Sequence, residues 1–343
     1  FSLFSSNAFP LFLYLKSDFG NHLINWYGNR GGVRNALRYD DLCKIDVPKI
    51  DFKEQIGLLK KIKKTRETIS GFYSGLDNQL SFLKKLRQQI LQETIEGKLT
   101  ADWRKKNPKL ISGENHASKL LEKIKAEKAR LIKEEKSKKE KLLPLITDTE
   151  KSFDLPEGWV WCRLGEVAFG FEYGSSAKSK KDGKVPVLRM GNLQNGHIDW
   201  ADLVYTSNDT EIEKHLLKYN DLLFNRTNSR ELVGKTALYE RDGKTIYAGY
   251  IVRFHMCGNI NPKYTNFIMN SSFHRCWCNE VKADALGQSN INATKLRDYR
   301  YPLAPIAEQQ AIVERLDKLM AMIDELEKQV TERKNKSERL IQA

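Results

Sequence analysis

The chain of 343 residues has room for two average domains, or for one domain with long appendages. Lys and Arg number 58 against 44 Asp and Glu, and this net charge of +14 favours a polyanionic partner over a neutral metabolite. No apolar run approaches the roughly 20 residues of a membrane span. Five unevenly spaced cysteines argue against a disulfide-stapled secreted fold, so we expect a reduced, cytoplasmic protein. Because the chain starts at Phe1 without a basic leader, we also expect a fragment.

An internal repeat links the start of the chain to its end. The stretch DDLCKIDVPKIDFKEQIGLLKKI near the start resembles TKLRDYRYPLAPIAEQQAIVERL near the end. Matched positions keep a constant offset, as in Pro48 with Pro302 and Glu54 with Glu308. Residues 1–49 are therefore predicted to be the C-terminal remnant of a first globular domain, whose complete counterpart lies further along the chain.

Two long helices are predicted, each following one of the matched prolines. The first runs from Phe52 to Glu96, in residues 50–100, and the second from about Ala307 onward, in residues 306–343. Apolar side chains recur in both at spacings of three and four, the a and d pattern of a coiled coil. These positions are Leu58, Ile62, Ile69, Phe72, Leu76, Leu83, Leu86 and Ile90 in the first helix, and Ile312, Leu316, Leu319, Ile323, Leu326 and Val330 in the second. The shared register predicts that the two helices pair, although each could instead pack on its own globular domain.

Residues 101–154 are predicted to be a basic helical segment followed by a linker. Between Arg104 and Leu142 there are 14 Lys and Arg against six acidic residues. An apolar stripe predicts a helix here, and Pro144 ends it. The Lys-rich face of this helix either meets phosphates or is simply solvated.

Residues 155–305 change to short, mixed strands and helices, which predicts one α+β domain of ordinary size. Residues 184–193 read as a buried strand, and so does TIYAGYIVRFHM. An amphipathic helix is predicted after Pro262. The fold class is therefore α+β, a globular mixed domain with long coiled-coil helices attached to it.

Loops of this domain carry the side chains that read base edges and contact phosphates. Arg pairs with guanine in the major groove, Asn or Gln pairs with adenine, and Lys among small residues suits phosphate contact. The candidate DNA-binding residues are Lys178, Lys180 and Lys181 in YGSSAKSKKDGK, Arg189 and Asn192 in RMGN, Asn225, Arg226, Asn228, Arg230 and Lys235 in FNRTNSRELVGK, and Gln288, Ser289 and Asn290 in LGQSNI. The alternative is that Asn and Gly in these loops only make turns.

The sequence contains no recognisable catalytic constellation. Two GKT triplets, at Gly234 and Gly243, lack the preceding glycine that a phosphate-binding loop needs. The residues that could suggest zinc are His255, Cys257, His274, Cys276 and Cys278. Their spacing does not match that of structural zinc sites, so no metal site is predicted. Asp and Glu show no spacing that singles out a nuclease pair.

Taken in order, these motifs resemble those of the DNA-sequence specificity subunit of Type I restriction–modification systems. The matching stretches are LPEGWVWCRLGEV, VLRMGNL, NDLLFNRTNS, LGQSNINATKLRDYRYPLAPIAEQQAIVERL, LRQQILQETIEGKLTADW and ASKLLEKIKAEKARLIKE. The resemblance implies two target-recognition domains, separated and followed by conserved helices that pair antiparallel. For this sequence it implies one complete target-recognition domain at residues 155–305, with most of the first one absent.

The resemblance further implies that the chain has no catalysis of its own and reads one half of a bipartite site on double-stranded DNA. Methyltransferase subunits, which carry S-adenosylmethionine, would dock on the helices and recognition domains. Restriction subunits would then join for cleavage that uses ATP and magnesium, so no cofactor is expected in this chain itself. Two such chains that paired with each other would rebuild a two-headed reader.

Two other functions are consistent with the same residues. A basic coiled-coil scaffold or adaptor would organise protein partners without reading a base sequence, and a nuclease would cut DNA with magnesium. A base preference in bound DNA separates the scaffold from a specificity subunit. Magnesium-dependent cleavage by the chain alone would reveal the nuclease.

Overall fold

The computed structural model describes residues 14–28, 39–47, 51–134, 143–285 and 287–342. The chain divides into two units, one of Phe1–Leu80 with Val330–Ala343 and the other of Ser81–Gln329. Several predictions fall outside the described residues, namely Pro48 of the repeat, parts of the remnant at 1–49, and 135–142 of the basic segment. Among the helices that are described, none is both long and apolar enough to cross a bilayer.

Helices and short strands alternate along the chain. The helices are α1 (Asp18–Gly28), α2 (Tyr39–Leu42), α3 (Phe52–Ile95), α4 (Ala101–Lys106), α5 (Ala117–Lys133), α6 (Leu164–Val167), α7 (Asp209–His215), α8 (Pro262–Ile268), α9 (Ser272–Val281), α10 (Ala293–Arg297) and α11 (Ile306–Gln342). The strands are β1 (Val160–Arg163), β2 (Ala168–Tyr173), β3 (Val185–Leu188), β4 (Leu193–Gln194), β5 (His197–Ile198), β6 (Val204–Thr206), β7 (Leu222–Asn225), β8 (Thr227–Asn228), β9 (Thr236–Leu238), β10 (Ile246–Tyr247), β11 (Ile251–Met256), β12 (Ala283–Ala285), β13 (Gln288–Asn290) and β14 (Arg300–Leu303).

In the first unit, two tyrosine hydroxyls, one before α1 and one on it, bind the chain that follows α2. The Tyr14 hydroxyl donates to the backbone carbonyl of Asp46 at 2.8 Å, and the Tyr27 hydroxyl donates to the carbonyl of Lys44 at 3.3 Å. These two bonds join residues that are 32 and 17 positions apart in the sequence.

Two long helices confirm the coiled-coil part of the predicted fold class. In the second unit, Arg87 of α3 contacts Asp324 and Glu327 of α11, through Nη2 at 2.5 and 3.3 Å. Arg104, which lies beyond the end of α3, reaches Glu308 at the start of α11. The residue numbers therefore fall on one helix as they rise on the other, which makes the pair antiparallel.

The predicted seam between these helices is wrong at several positions. Leu86 and Leu326 were expected in the seam, but their side chains are 46% and 45% exposed. Leu58 and Phe72, in the first unit, are exposed as well. Arg87, next to Leu86, is more buried, with a side chain that is 19% exposed, and its guanidinium contacts two carboxylates of α11. A pattern of apolar residues cannot identify a position in the helix contact that a charged side chain occupies.

The second unit contains several small sheets. A four-stranded antiparallel sheet has the order β2-β11-β7-β9, with Val252 of β11 opposite Phe224 of β7. A three-stranded sheet has the order β10-β3-β6, and β12-β13-β8 form another. The remaining pairs are β1-β14, which joins the two ends of the domain, and β4-β5. Together with α7 to α10 these sheets form the predicted α+β domain, so the fold class is confirmed.

Three predicted elements are shorter than the sequence suggested. The strand predicted at 184–193 ends at Leu188, because the Arg189 backbone N–H is taken by the side chain of Asn192 at 2.8 Å and a turn follows. TIYAGYIVRFHM forms two strands, β10 and β11, with a break between them. The helix after Pro262 is divided into α8 and α9, because the Ser271 side chain caps the second.

One core joins the long helices to this domain within the second unit. The inner face of α3 contributes Leu91 and Ile95, and α11 contributes Ile312 and Leu316. They pack with strand residues such as Phe254, whose neighbours on β11 alternate between buried and half-buried positions. The long helices and the β2-β11-β7-β9 sheet of this unit therefore share one hydrophobic cluster.

A buried carboxylate lies where three segments of this unit meet. Glu308, on the first turn of α11, is fully buried. It accepts hydrogen bonds from Thr100 Oγ1 at 2.6 Å, from Arg104 Nη1 at 2.5 Å and from Trp159 Nε1 at 2.7 Å. The Arg104 guanidinium also donates to the carbonyl of Gly97, at 2.6 Å. The end of α3, the start of the α+β domain and the start of α11 are thus held by one side chain.

Replacement of Glu308 by Ala should lower the free energy of unfolding by about 3–5 kcal/mol, because it leaves the buried guanidinium of Arg104 without its carboxylate. Urea denaturation followed by circular dichroism measures the change. Glu314→Ala is the matched control, since Glu314 is exposed on the same helix and accepts from Gln310 at 3.0 Å. The control should change the free energy by less than about 0.5 kcal/mol. Equal effects of the two substitutions would contradict the structural role of Glu308.

Candidate nucleic-acid interface

A cavity of about 1000 Å³ opens in the α+β domain where the ends of several strands meet. Loops after β2, β3, β7 and β10 form its walls, and the loop between β5 and β6 closes one side. The predicted DNA-binding residues that line it are Lys178, Arg189, Asn192 and Arg226. Four candidates from three separate sequence motifs therefore come together at one place.

Arg189 and Asn192 have different roles in this cavity. Asn192 is buried, and its side-chain amide donates to the carbonyls of Asp199 and Ala201 at 3.0 and 3.2 Å. Its carbonyl oxygen accepts from the backbone of Arg189. Arg189 is half-buried and points its Nη2 at Asp202, with 2.7 Å to the backbone carbonyl and 2.8 Å to the carboxylate. Asn192 therefore shapes the loop, whereas Arg189 presents a charge to the cavity.

Arg226 lies on the opposite wall, against an aromatic ring. Its guanidinium carbon is 4.6 Å from the ring centre of Tyr173, a geometry in which the cation is attracted to the face of the ring. Its Nη1 is 3.5 Å from the carbonyl of Gly249. Its Nε is buried without a hydrogen-bond partner among the described residues. The ring holds the guanidinium at the cavity while much of its donor capacity stays unused.

Asn225 and Lys235 lie behind this wall. Asn225 is fully buried at the end of β7, and its side-chain amide is 3.4 Å from the carbonyl of Met190. Lys235 is half-buried and donates from Nζ to the side chain of Gln194 at 2.6 Å. Burial lowers the pKa of Lys235. Neither side chain faces solvent freely, so both support the loops beside them.

The remaining candidates on the β12-β13-β8 sheet form a second cluster. Ser289 is buried and donates to Asp284 at 2.5 Å. Asn290 donates to the Thr227 hydroxyl at 2.7 Å, across β13 and β8. Three further candidates belong to this part of the domain, with Asn228 half-buried and Arg230 and Gln288 exposed. Arg230 Nε is 3.6 Å from a carboxylate oxygen of Asp284.

The basic loop after β2 presents exposed cations. Lys180 exchanges backbone hydrogen bonds with Tyr205 at 2.9 and 2.8 Å, which fixes the loop against β6. The side chains of Lys178, Lys180 and Lys181 are all exposed. A fixed backbone with free ammonium groups is suited to contact with phosphates.

Three neighbours of Arg189 and Arg226 were not predicted from the sequence. Tyr173 lies under Arg226, Tyr250 is exposed on the rim, and Asp202 pairs with Arg189. The predicted residues were side-chain types that commonly contact bases or phosphates. That criterion left out a carboxylate and two tyrosines. The position of Tyr250, next to glycine between two strands, was the sequence feature that could have drawn attention to it.

The histidines and cysteines that could suggest zinc do not lie together as a metal site would require. Among the described residues, no group of three His, Cys, Asp or Glu side chains is arranged to hold a metal ion. His274 and Cys278 are buried on α9, 3.3 Å apart, and His274 Nε2 lies 2.8 Å from the carbonyl of Gly234. Burial lowers the pKa of His274 to about 3 and raises the pKa of the Cys278 thiol to about 11. Both side chains are therefore neutral parts of the core.

Comparison with known proteins assigns the family. The Type I restriction modification DNA specificity domain matches residues 156–333, more than half of the chain. The chain belongs to this family. It is 32% identical to the Type I restriction enzyme EcoAI specificity subunit of Escherichia coli over 273 residues, which is 75% of this chain and 43% of that protein. The EcoEI specificity subunit of Escherichia coli is 28% identical over 267 residues, 75% of this chain and 44% of that protein.

A solved structure supports the fold assignment. A chain from a study of complex assembly and conformational transition in the type I R-M system superposes with a TM-score of 0.63 at 16% identity, over 98% of this chain and 69% of that one. At this identity the likeness concerns the fold. The chain spans less than half the length of the EcoAI and EcoEI specificity subunits.

The buried His274 predicts a specific loss of stability in acid. Its pKa is lower in the folded chain than the usual value near 6.5, so the unfolded chain binds more protons below that pH. Its contribution is complete above pH 6.5 and falls by about 1.4 kcal/mol per pH unit as the pH drops towards 3. In urea titrations at pH 6.5, 5.5 and 4.5, His274→Gln should show a shallower loss of stability than the parent. His197→Gln, at an exposed site, should keep the parental slope, and equal slopes in all three proteins would contradict the assignment.

Proposed function

We propose that this chain binds double-stranded DNA sequence-specifically, as the specificity subunit of a Type I restriction–modification complex, and reads one half of a bipartite site. The observation that carries the proposal is the cavity in which Lys178, Arg189 and Arg226 converge from three separate loops. This cavity lies inside the residues that match the DNA specificity domain. Arg donors in a concave, basic site suit the acceptor atoms of guanine, and nearby Lys suits phosphates.

Burial divides the candidate residues into those that touch DNA and those that hold the loops. We assign phosphate contact to Lys178, Lys180 and Lys181, because their ammonium groups are exposed on a fixed loop. We assign base contact to Arg189 and Arg226. A second set of contacts is assigned to Gln288, Asn228 and Asn290, on the β12-β13-β8 sheet, and to Arg230 in the turn after β8. The buried Asn192, Asn225 and Ser289, with the half-buried Lys235, support these side chains from behind.

The other parts of the chain receive roles in the same scheme. In this scheme, residues 155–305 are the target-recognition domain and 50–100 the spacer helix that pairs with 306–343. Residues 101–154 are a basic connector, and 1–49 belong to the C-terminal end of a first recognition domain. The rigid helices would set the distance between half-sites, since a rod fixes a separation that a flexible loop would not. In this proposal the chain is non-catalytic and acts in the cytoplasm.

The proposed partners supply the chemistry. Methyltransferase subunits would bring S-adenosylmethionine, and restriction subunits would use ATP and magnesium. In this proposal the chain itself binds none of the three. A second copy of the chain is a further candidate partner, because pairing would provide two recognition domains. The support for these assignments is the family to which residues 156–333 belong.

Selection of bound duplexes from a random pool, with and without the methyltransferase subunit, tests the proposal. A specificity subunit should enrich one short half-site in either arm. Affinity should fall by about 10³- to 10⁵-fold between 50 and 200 mM salt if six to ten phosphates are contacted. Bound DNA without base preference in both arms would favour the basic scaffold instead. Magnesium-dependent cleavage by the chain alone would show a nuclease.

Arg226→Ala should weaken binding to the selected half-site by about 1–3 kcal/mol and relax the preference at one base position, since its guanidinium would contact a base edge. Repeated selection and competition binding measure both effects. The matched control is Arg241→Ala, because Arg241 also stacks on an aromatic ring, 4.4 Å from the ring centre of Trp200, but does not line the cavity. The control should select the parental half-site. An unchanged preference in Arg226→Ala would remove Arg226 from the proposed base contacts.

Lys180→Ala should weaken binding to all duplexes by the same factor, because a phosphate contact does not depend on the base sequence. The slope of log affinity against log salt should decrease by about one. Fluorescence anisotropy with a selected and a scrambled duplex measures both values. Lys180→Arg keeps the charge and should keep the slope. A loss confined to the selected duplex would show that Lys180 reads bases.

A further inference from the structure

A carboxylate is fixed among the cations of the cavity. Asp202 lies in the loop between β5 and β6, and its side chain is 92% exposed. Arg189 Nη2 binds both its backbone carbonyl and its carboxylate oxygen Oδ2, at 2.7 and 2.8 Å. An exposed carboxylate next to a phosphate backbone is repelled by it, which makes this position costly in a general DNA-binding surface.

The loop that carries Asp202 is held in place before any ligand arrives. Asn192 donates to two of its carbonyls, and the carboxylate of Asp199 accepts from the Ala201 backbone at 2.9 Å. Trp200 packs against the smaller core of the domain. Asp202 itself has φ of +49°, in the left-handed region that non-glycine residues seldom adopt. Asp and Asn adopt this region more readily than other non-glycine residues, so the conformation is compatible with an Asp at this position.

Arg189 and Asp202 leave complementary groups unused. Arg189 Nε is buried and has no hydrogen-bond partner among the described residues. Buried hydrogen-bond donors normally have an acceptor. A ligand acceptor that draws the guanidinium outward would therefore give Arg189 Nε a partner. On the carboxylate, Oδ1 takes no part in the bonds to Arg189, and the exposure of the side chain makes it accessible. The pair therefore offers donors and an acceptor side by side.

In the major groove, guanine presents the acceptors O6 and N7, and its partner cytosine presents the N4 amino donor. We infer that Arg189 and Asp202 together read one G·C base pair, with Arg189 donating to guanine and Asp202 accepting from cytosine. Asp202 is then a specificity-determining residue of the recognition domain. Bases that lack a donor at this place would leave the carboxylate unpaired in the interface, so the same group rejects them. This inference rests on the proposed DNA recognition.

Asp202→Asn tests the assignment by selection from a random duplex pool. Where the parent selects a fixed G·C pair, the affinity ratio that favours cytosine at that pair should fall by roughly 5- to 150-fold in the variant. The reason is that an amide, unlike a carboxylate, is not a pure acceptor. The variant should also bind unselected duplexes more tightly than the parent, since a charge that repels phosphates is gone.

Asp209→Asn is the matched control. Asp209 is also an exposed carboxylate in an ion pair, 3.0 Å from Lys184, but it lies outside the cavity. It carries the same change of charge and should select the parental sequence. A changed preference at one base pair in Asp202→Asn alone supports the inference. An identical preference in the parent and Asp202→Asn overturns it and leaves the proposed function standing. If the parent selects no sequence, with or without the methyltransferase subunit, the proposed function and this inference both fail.

Discussion

The buried carboxylate of Glu308 is the contact on which the architecture of the second unit depends. One side chain accepts from Thr100, Arg104 and Trp159, and so ties the end of α3, the entrance to the α+β domain and the first turn of α11. A charge in this position is tolerated because both carboxylate oxygens accept hydrogen bonds, one of them from a guanidinium. The antiparallel direction of the helices near this point follows from that arrangement.

The same junction bears on the recognition cavity. Trp159 immediately precedes β1, and β1 pairs with β14, which leads into α11. The two ends of the α+β domain are therefore joined to each other and to the helices by adjacent contacts. A domain that is attached at both ends can present its loops in one orientation relative to the helix ends beside it. In the proposed function, a domain held in one orientation would let the helix length set the distance between the two parts of a divided DNA site.

At the cavity, buried polar side chains bind the backbone of the loops, and less buried charged side chains are available to a ligand. Asn192 and Asn225 satisfy backbone groups of the loops, and their burial makes the loop geometry expensive to change. Arg189 and Arg226 extend from this scaffold, one against a carboxylate and one against a tyrosine ring. Both guanidinium groups are held by weak or exposed partners, which they can exchange for a ligand at small cost. The sequence preference of such a site depends on side chains at the rim, while its shape depends on residues that DNA would never touch.

The sequence by itself determined the features that depend on local pattern: two long helices from apolar spacing, an α+β domain from short mixed elements, and a basic surplus with Arg and Asn in loops. It also identified Lys178, Arg189 and Arg226 as candidates before their positions were known. Only the tertiary structure decided that Arg87 replaces Leu86 in the helix contact, that Asn192 is buried, and that Asp202 stands opposite Arg189. The physical reason is that spacing along a chain reports which side of an element is apolar, whereas burial and ion pairing depend on what a distant segment places against it. A residue type predicts what a side chain can bind, and the fold determines whether that side chain faces the ligand or the interior.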